Sequence, residues 1–245
     1  MAAGGTAAGR VRSRWVLPAV VLVTAALTVA AAGAAWWYLW YPHDRPTLRA
    51  GESLGLDVSN HQGPIDWPAV AADPDGLAFA YIKSSEGADW VDASFATNWA
   101  GAEEAGVRRG AYHFFTLCTP GREQAVNFLR TAPPDASALP PAIDLELAGN
   151  CSARPDAAAV DAELDAFLTE VEAAWGRDVL LYVGEDWEDR YPVLERSERP
   201  RWLVSHVGRP ARDWTVWQFH WMGQVDGIEG RVEVNVARLE ELTGT

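Results

Sequence analysis

Hydrophobic and polar positions along the chain fall into two regimes. From Trp15 to about Trp40 the sequence is almost continuously apolar, interrupted by Pro18, threonines and Gly33, and it closes on Trp36, Trp37, Tyr38, Trp40 and Tyr41. The run is longer than a signal-peptide core and meets the roughly 20 residues that a spanning helix needs. It predicts a transmembrane signal-anchor over residues 15–41, with the aromatic cluster at the outer membrane interface. Arg10, Arg12 and Arg14 precede it, so the positive-inside rule puts segment 1–14 in the cytoplasm. The alternative is cleavage at Ala30-Ala31-Ala32-Gly33-Ala34, which would secrete the remainder. Both readings export the rest of the chain. Residues 42–51 contain Pro46 and show no periodicity, and they read as a linker to a single domain over 52–245.

In the second regime short apolar segments alternate with helix-like ones. Strand candidates are Leu54–Val58, Leu77–Lys83, Val107–Phe115, Leu139–Leu147, Val179–Val183, Trp202–His206, Thr215–Phe219 and Arg231–Val236. Helix candidates are Trp67–Ala72, Ser94–Ala105, Arg122–Thr131, Asp156–Trp175 and Glu185–Arg190. In the fourth of these Val160, Leu164, Phe167, Leu168, Val171 and Trp175 keep the 3.6-residue period, with Asp156 as N-cap and Gly176 as terminator. Strand–helix alternation indicates βαβ units around a parallel sheet. The expected fold is therefore α/β: an incomplete TIM-like barrel of about eight strands and about five helices, its last three strands joined by loops.

In such a barrel the chemistry sits at the carboxyl ends of the strands. Those ends carry Asp57, Lys83 and Glu86, His113, Asp144 and Glu146, Tyr182, Ser205 and His206, Gln218, and Glu233. Surface decoration alone does not account for a polar group at nearly every end.

Composition and charge narrow the partners. The formal net charge is −14, and residues 1–50 hold five arginines against Asp44, so the rest of the chain carries −18. That balance argues against nucleic acid as a partner. Trp is abundant at 13 residues, which serves a core or the flat faces of a sugar-binding cleft. The two cysteines, Cys118 and Cys151, each follow a candidate strand. If those strands are neighbours the thiols approach bonding distance, and an exported location permits a disulfide; a pair of reduced thiols is the alternative. No CxxC or His/Cys ligand spacing supports a metal site.

The run Pro141-Ala142-Ile143-Asp144-Leu145-Glu146-Leu147 places two carboxylates two residues apart in an apolar strand. Alternation puts Asp144 and Glu146 on one side, their backbones about 6–7 Å apart. Mutual repulsion and lost hydration should separate their pKa values, which makes one acid and one base at the same pH. The bland alternative is a strand end whose acids meet solvent or cap the next loop.

An ordered set of motifs then resembles glycoside hydrolase family 25, the Chalaropsis-type lysozymes, over about Leu54 to Val236. It comprises Gly55-Leu56-Asp57-Val58-Ser59-Asn60-His61-Gln62-Gly63 with Ile65-Asp66-Trp67, and Phe79-Ala80-Tyr81-Ile82-Lys83-Ser84-Ser85-Glu86-Gly87. Gly110-Ala111-Tyr112-His113-Phe114-Phe115, Pro141 to Glu146, Leu181-Tyr182, Trp202-Leu203-Val204 and Trp217-Gln218-Phe219 come next, in order. The resemblance implies hydrolysis of the β-1,4 bond between N-acetylmuramic acid and N-acetylglucosamine in peptidoglycan, without a cofactor. It implies Glu146 as proton donor, Asp144 as partner of the substrate's acetamido group and Asp57 as a further essential carboxylate. Tyr182, His113, Trp217, Gln218, Glu233 and Lys83 are the expected substrate-binding or supporting residues, with Tyr182 and Trp217 as sugar-stacking walls. The chain departs from the family pattern at Glu233, where a V-D-x-N motif usually places aspartate, and at Ser205-His206. These departures motivate the rival reading, a membrane-tethered peptidoglycan-binding or scaffold protein that kept the barrel and lost turnover. Either a substrate-assisted or a water-activated, inverting route fits two such acids.

Overall fold

The computed structural model describes residues 13–244, with side chains from Val16 onward. Residues 1–12 lie outside it, and with them most of the expected basic segment, including Arg10 and Arg12. The described chain divides into two units, one ending at Asp44 and one beginning at Arg45.

The first unit is helix α1 (Ser13–Leu39) followed by a 3₁₀ turn at Tyr41–His43. Twenty-seven residues at about 1.5 Å each give a rod of about 40 Å, longer than a bilayer's hydrocarbon core. The stretch Val16–His43 has a mean hydropathy of 2.2, and residues 16–40 are all exposed. Thr24 and Thr28 donate their hydroxyls back to the carbonyls of Val20 and Thr24, at 3.0 and 2.9 Å, so neither is left unsatisfied in an apolar surrounding. The Trp37 and Tyr41 rings stack at 4.1 Å where the helix ends.

The second unit is an α/β barrel. Its strands are β1 (Ser53–Val58), β2 (Leu77–Glu86), β3 (Trp90–Val91), β4 (Arg108–Phe114), β5 (Ala142–Leu145), β6 (Leu180–Val183), β7 (Arg201–Val204), β8 (Val216–Gly223) and β9 (Val232–Ala237). Its helices are α2 (Trp67–Ala71), α3 (Phe95–Glu104), α4 (Gly121–Thr131), α5 (Ala157–Trp175), α6 (Glu185–Arg190) and α7 (Leu239–Thr243). Eight strands close in the order β1-β9-β8-β7-β6-β5-β4-β2 and back to β1, while β3 folds onto the end of β2 as a hairpin. Pairing is parallel from β1 through β2 and β4 to β8, but β9 runs antiparallel to both its neighbours. The cause is the short link after β8: no helix carries the chain back, so the next strand returns as a hairpin.

The helical signals are realised closely. Asp66 and Asp156 accept the amides of Ala69 and Ala159, capping α2 and α5, and Gly176 ends α5 at φ 63°. The six periodic positions of α5 are the six it buries. Elements too short to show a period, β3 and α7, had no counterpart in the sequence pattern. Segment 42–51 also differs from a free linker. Arg45 pairs with Asp75 at 2.7 Å, and Arg209 reaches both the Thr47 carbonyl and the Glu52 carboxylate.

Two apolar layers result. One lies between sheet and helices; the other fills the lower barrel with Phe79, Tyr81, Leu180, Trp202 and Val216. Small residues face the large ones. A Cβ on Gly55 or Gly110 would lie 2.4 Å from the Phe79 ring or 2.3 Å from the Tyr81 ring. Because alternate residues along each strand point inward, the next inward positions form the floor of a cavity at the strands' carboxyl ends.

Candidate active site

The cavity has a volume of about 450 Å³ and opens at that end of the barrel. Asp57, Asp144, Glu146 and Glu233 line it, with Lys83, Tyr112, Tyr182, Trp202 and Gln218. Glu233 reaches it from the start of β9 rather than from a strand's carboxyl end. The antiparallel direction brings that start to the right side of the barrel, opposite Asp57 in register.

Asp57 is held by two amides. Asn235 Nδ2 donates to Oδ2 at 2.6 Å and Gln218 Nε2 at 3.3 Å. Asn235, fully buried, accepts from Trp202 Nε1 at 2.9 Å, and Gln218 accepts from the Tyr182 hydroxyl at 3.3 Å. The Asp57 carboxylate is thereby fixed by a relay that crosses β9, β8, β7 and β6. Burial pushes its pKa up to about 6 against the pull of those two donors.

Asp144 is inward-facing on β5, and Glu146 is the first residue beyond that strand. Burial raises Asp144 well above the usual carboxylate range, and neighbouring Glu146 adds to it while Lys83 opposes. Its Oδ1 is buried with no hydrogen-bond partner. Glu146 rises to about 7, through burial first and the nearby charge of Asp186 second, again opposed by Lys83. Glu233 rises to about 8, through burial and then Asp57. Lys83 itself pairs with Glu86 at 2.8 Å and lies 4.8 Å from the centre of the Phe114 ring, so the site's cation is anchored at the cavity wall. Among the described residues, no group of three or more His, Cys, Asp or Glu is arranged to hold a metal ion.

The turn after Glu146 is pinned from two sides. Asn150 donates to the carbonyls of Glu146 and Phe115 and accepts the Leu117 amide. One residue on, Cys151 is bonded to Cys118, with a Cα–Cα distance of 6.2 Å across the neighbouring strands β4 and β5.

Residues 56–228 match the model of the glycosyl hydrolases family 25. The chain belongs to that family. The Escherichia coli O6:H1 protein YegX is 36% identical over 199 residues, which cover 78% of this chain and 72% of YegX. Lysozyme M1 of Streptomyces globisporus is 32% identical over 197 residues, 74% of this chain and 66% of that enzyme. The solved structure of a family 25 glycosyl hydrolase from Bacillus anthracis superposes with a TM-score of 0.72 at 31% identity, covering 80% of this chain and 93% of that one.

As a family 25 member the chain is a glycoside hydrolase, and its barrel sorts the expected site residues. Asp57, Asp144, Glu146, Tyr182, Gln218, Glu233 and Lys83 meet in the cavity. His113 and Trp217 do not. His113 is fully buried on the outer face of β4, between Ser85 Oγ at 2.9 Å and Gln124 Oε1 at 3.2 Å, and it stacks on Phe167. Burial pushes its pKa down to about 3. Trp217 is buried on the outer face of β8, where Nε1 donates to the Ser205 carbonyl at 2.8 Å and its ring contacts Trp214 and Phe219. Both are one residue out of phase with the cavity.

Residues that sequence reasoning passed over take their place. Tyr112 and Phe114 flank His113, Trp202 pairs in register with Tyr182, and Asn235 stands two residues beyond Glu233. Period-2 alternation within a strand puts Tyr112 and Phe114 on one face of β4 and Asn235 on the face of β9 that carries Glu233. Asp186 lacks even that signal, because an acid in the first turn of a helix reads as a dipole partner.

Proposed function

We propose that this chain is a lysozyme of the N-acetylmuramidase type, hydrolysing the β-1,4 bond between N-acetylmuramic acid and N-acetylglucosamine in peptidoglycan outside the cytoplasm. Helix α1 tethers it to the membrane with its N-terminus inside. The observation that carries the reading is Asp144 beside a neutral-range Glu146 in one cavity. An acetamido sugar brings an N–H that a carboxylate lining that cavity can accept.

The chemistry follows from the acids. Glu146 donates its proton to the leaving glycosidic oxygen, for which a pKa near 7 suits neutral conditions. As the bond lengthens, positive charge develops at the anomeric carbon. The acetamido N–H binds Asp144 and favours its ionised form, so the carboxylate aligns the amide and offsets the growing charge. Asp57, rigid in its amide relay, adds negative potential from the opposite wall. Tyr182, partly exposed, supplies ring surface for a sugar, and buried Trp202 packs edge-on against it. Lys83 keeps the four carboxylates from repelling one another out of the cavity.

The test is turnover of purified peptidoglycan as a function of pH. Activity should fall on the alkaline side with an apparent pKa near 7, as Glu146 loses its proton. Glu146→Gln should cost about 10²–10⁴-fold in kcat. A flat alkaline side, or Glu146→Gln turning over like the unsubstituted chain, would remove Glu146 from the role of donor.

A further inference from the structure

One acid next to the site is neither the proton donor nor the carboxylate partner in the chemistry proposed for Glu146 and Asp144. Asp186 lies in the first turn of α6, outside the cavity lining, and its Oδ2 accepts the backbone amides of Leu147 and Ala148, both at 3.1 Å. Those are the two residues that come directly after Glu146. The strand ends are drawn close as well, since the Gly184 amide donates to the Leu145 carbonyl at 2.9 Å. A Cβ on Gly184 would sit 2.8 Å from Asp186 Oδ1 and 3.1 Å from Glu146 Cβ. The absent side chain at 184 lets α6 approach the back of the donor.

We infer that Asp186 is a positioning residue for Glu146, clamping the turn that aims its carboxyl into the cavity and setting the pH range over which it donates. The inference rests on the donor role proposed for Glu146. A carboxylate that accepts two consecutive amides fixes both peptide planes, and so fixes the direction in which the preceding side chain leaves the backbone. Its charge also acts through space. The charged and titratable groups that line the cavity with Glu146 are Asp144 on β5, Asp57 on β1, His61 on the turn after β1, Glu233 on β9, Lys83 and Glu86 on β2, and Tyr112 and Tyr182 on β4 and β6. Asp186 is the group whose charge does most, after burial, to hold the Glu146 proton.

Two variants of the full-length chain separate the two effects. Asp186→Asn keeps an oxygen for the two amides and removes the charge; Asp186→Ala removes both. Asp186→Asn should leave kcat in the acid range within about twofold and move the alkaline limb down by half a pH unit or more. Asp186→Ala should show the same displaced limb and a further loss of roughly tenfold in kcat, with KM nearly unchanged. Titration of the Glu146 carboxyl carbon by NMR in the unsubstituted chain and in Asp186→Asn gives a readout that needs no turnover. A lower Glu146 pKa in Asp186→Asn supports the inference even if the proposed substrate is wrong. An unmoved Glu146 titration overturns the electrostatic role. A normal kcat in Asp186→Ala, with only a lowered melting temperature, overturns the positioning role.

Discussion

At the scale of single residues, the proposed chemistry rests on a contrast between two acids on adjacent inward positions. Asp144 sits deeper and lacks a donor at Oδ1, whereas Glu146 sits at the strand's end and is tuned near neutrality. Glu233 belongs to the same electrostatic group but differs in consequence. Burial and Asp57 raise its pKa to about 8, so the folded chain binds a proton there that the unfolded chain has shed. Glu233→Gln should therefore stabilise the protein at pH 8 by on the order of 1–3 kcal/mol and leave stability at pH 4 nearly unchanged, as read by urea denaturation at the two pH values. The strand ends that carry Asp57, Asp144, Gln218 and Tyr182 were legible because each is polar within an apolar run. His113 and Trp217 misled for a physical reason: a barrel strand is buried on both faces, so a polar or aromatic residue on the outer face gives the same signal as one on the inner.

At the scale of elements, precision at Glu146 comes from the pieces that hold its turn: Asn150, the Cys118–Cys151 bond and the N-terminus of α6. The disulfide closes a loop of 33 residues, for which chain entropy gives about 3–4 kcal/mol. The double variant Cys118→Ser/Cys151→Ser should lose about that much in denaturant unfolding and show a broader distribution of turn conformations by hydrogen exchange. Helix packing offers a sharper case. A Cβ on Gly121, at the start of α4, would lie 1.7 Å from the Glu163 carbonyl oxygen on α5. Gly121→Ala should therefore destabilise by about 3 kcal/mol or more, since backbone must move to admit one methyl group. The periodic pattern in α5 and the caps at Asp66 and Asp156 were readable from sequence. The reversal of β9 was not, because apolar alternation is identical for a parallel and an antiparallel strand and the connection length alone decides. Asp186 was hidden in the same way, its role being set by where α6 meets the turn after β5.

For the whole molecule, the acid clusters have a cost that appears in the pH dependence of stability. Asp57, Asp144, Glu146 and Glu233 all bind protons more tightly when folded, so stability is fully present near pH 4 and falls as pH rises through about 6 to 8. His113 acts oppositely: it stays neutral in the fold down to about pH 3, and it costs stability as pH drops below its ordinary value. Four groups against one place the maximum melting temperature near pH 4, with a decline toward pH 8 measurable by calorimetry. Helix α1, apolar on all sides, should keep the full-length chain in the membrane fraction through alkaline carbonate washing, and removal of residues 1–41 should release it. The central claim is the bond that is cut. Digestion of purified peptidoglycan by the full-length chain, with reduction and mass spectrometry of the fragments, should give new N-acetylmuramic acid reducing ends that are absent with Glu146→Gln. New N-acetylglucosamine reducing ends, or no new ends from the unsubstituted chain, would contradict it.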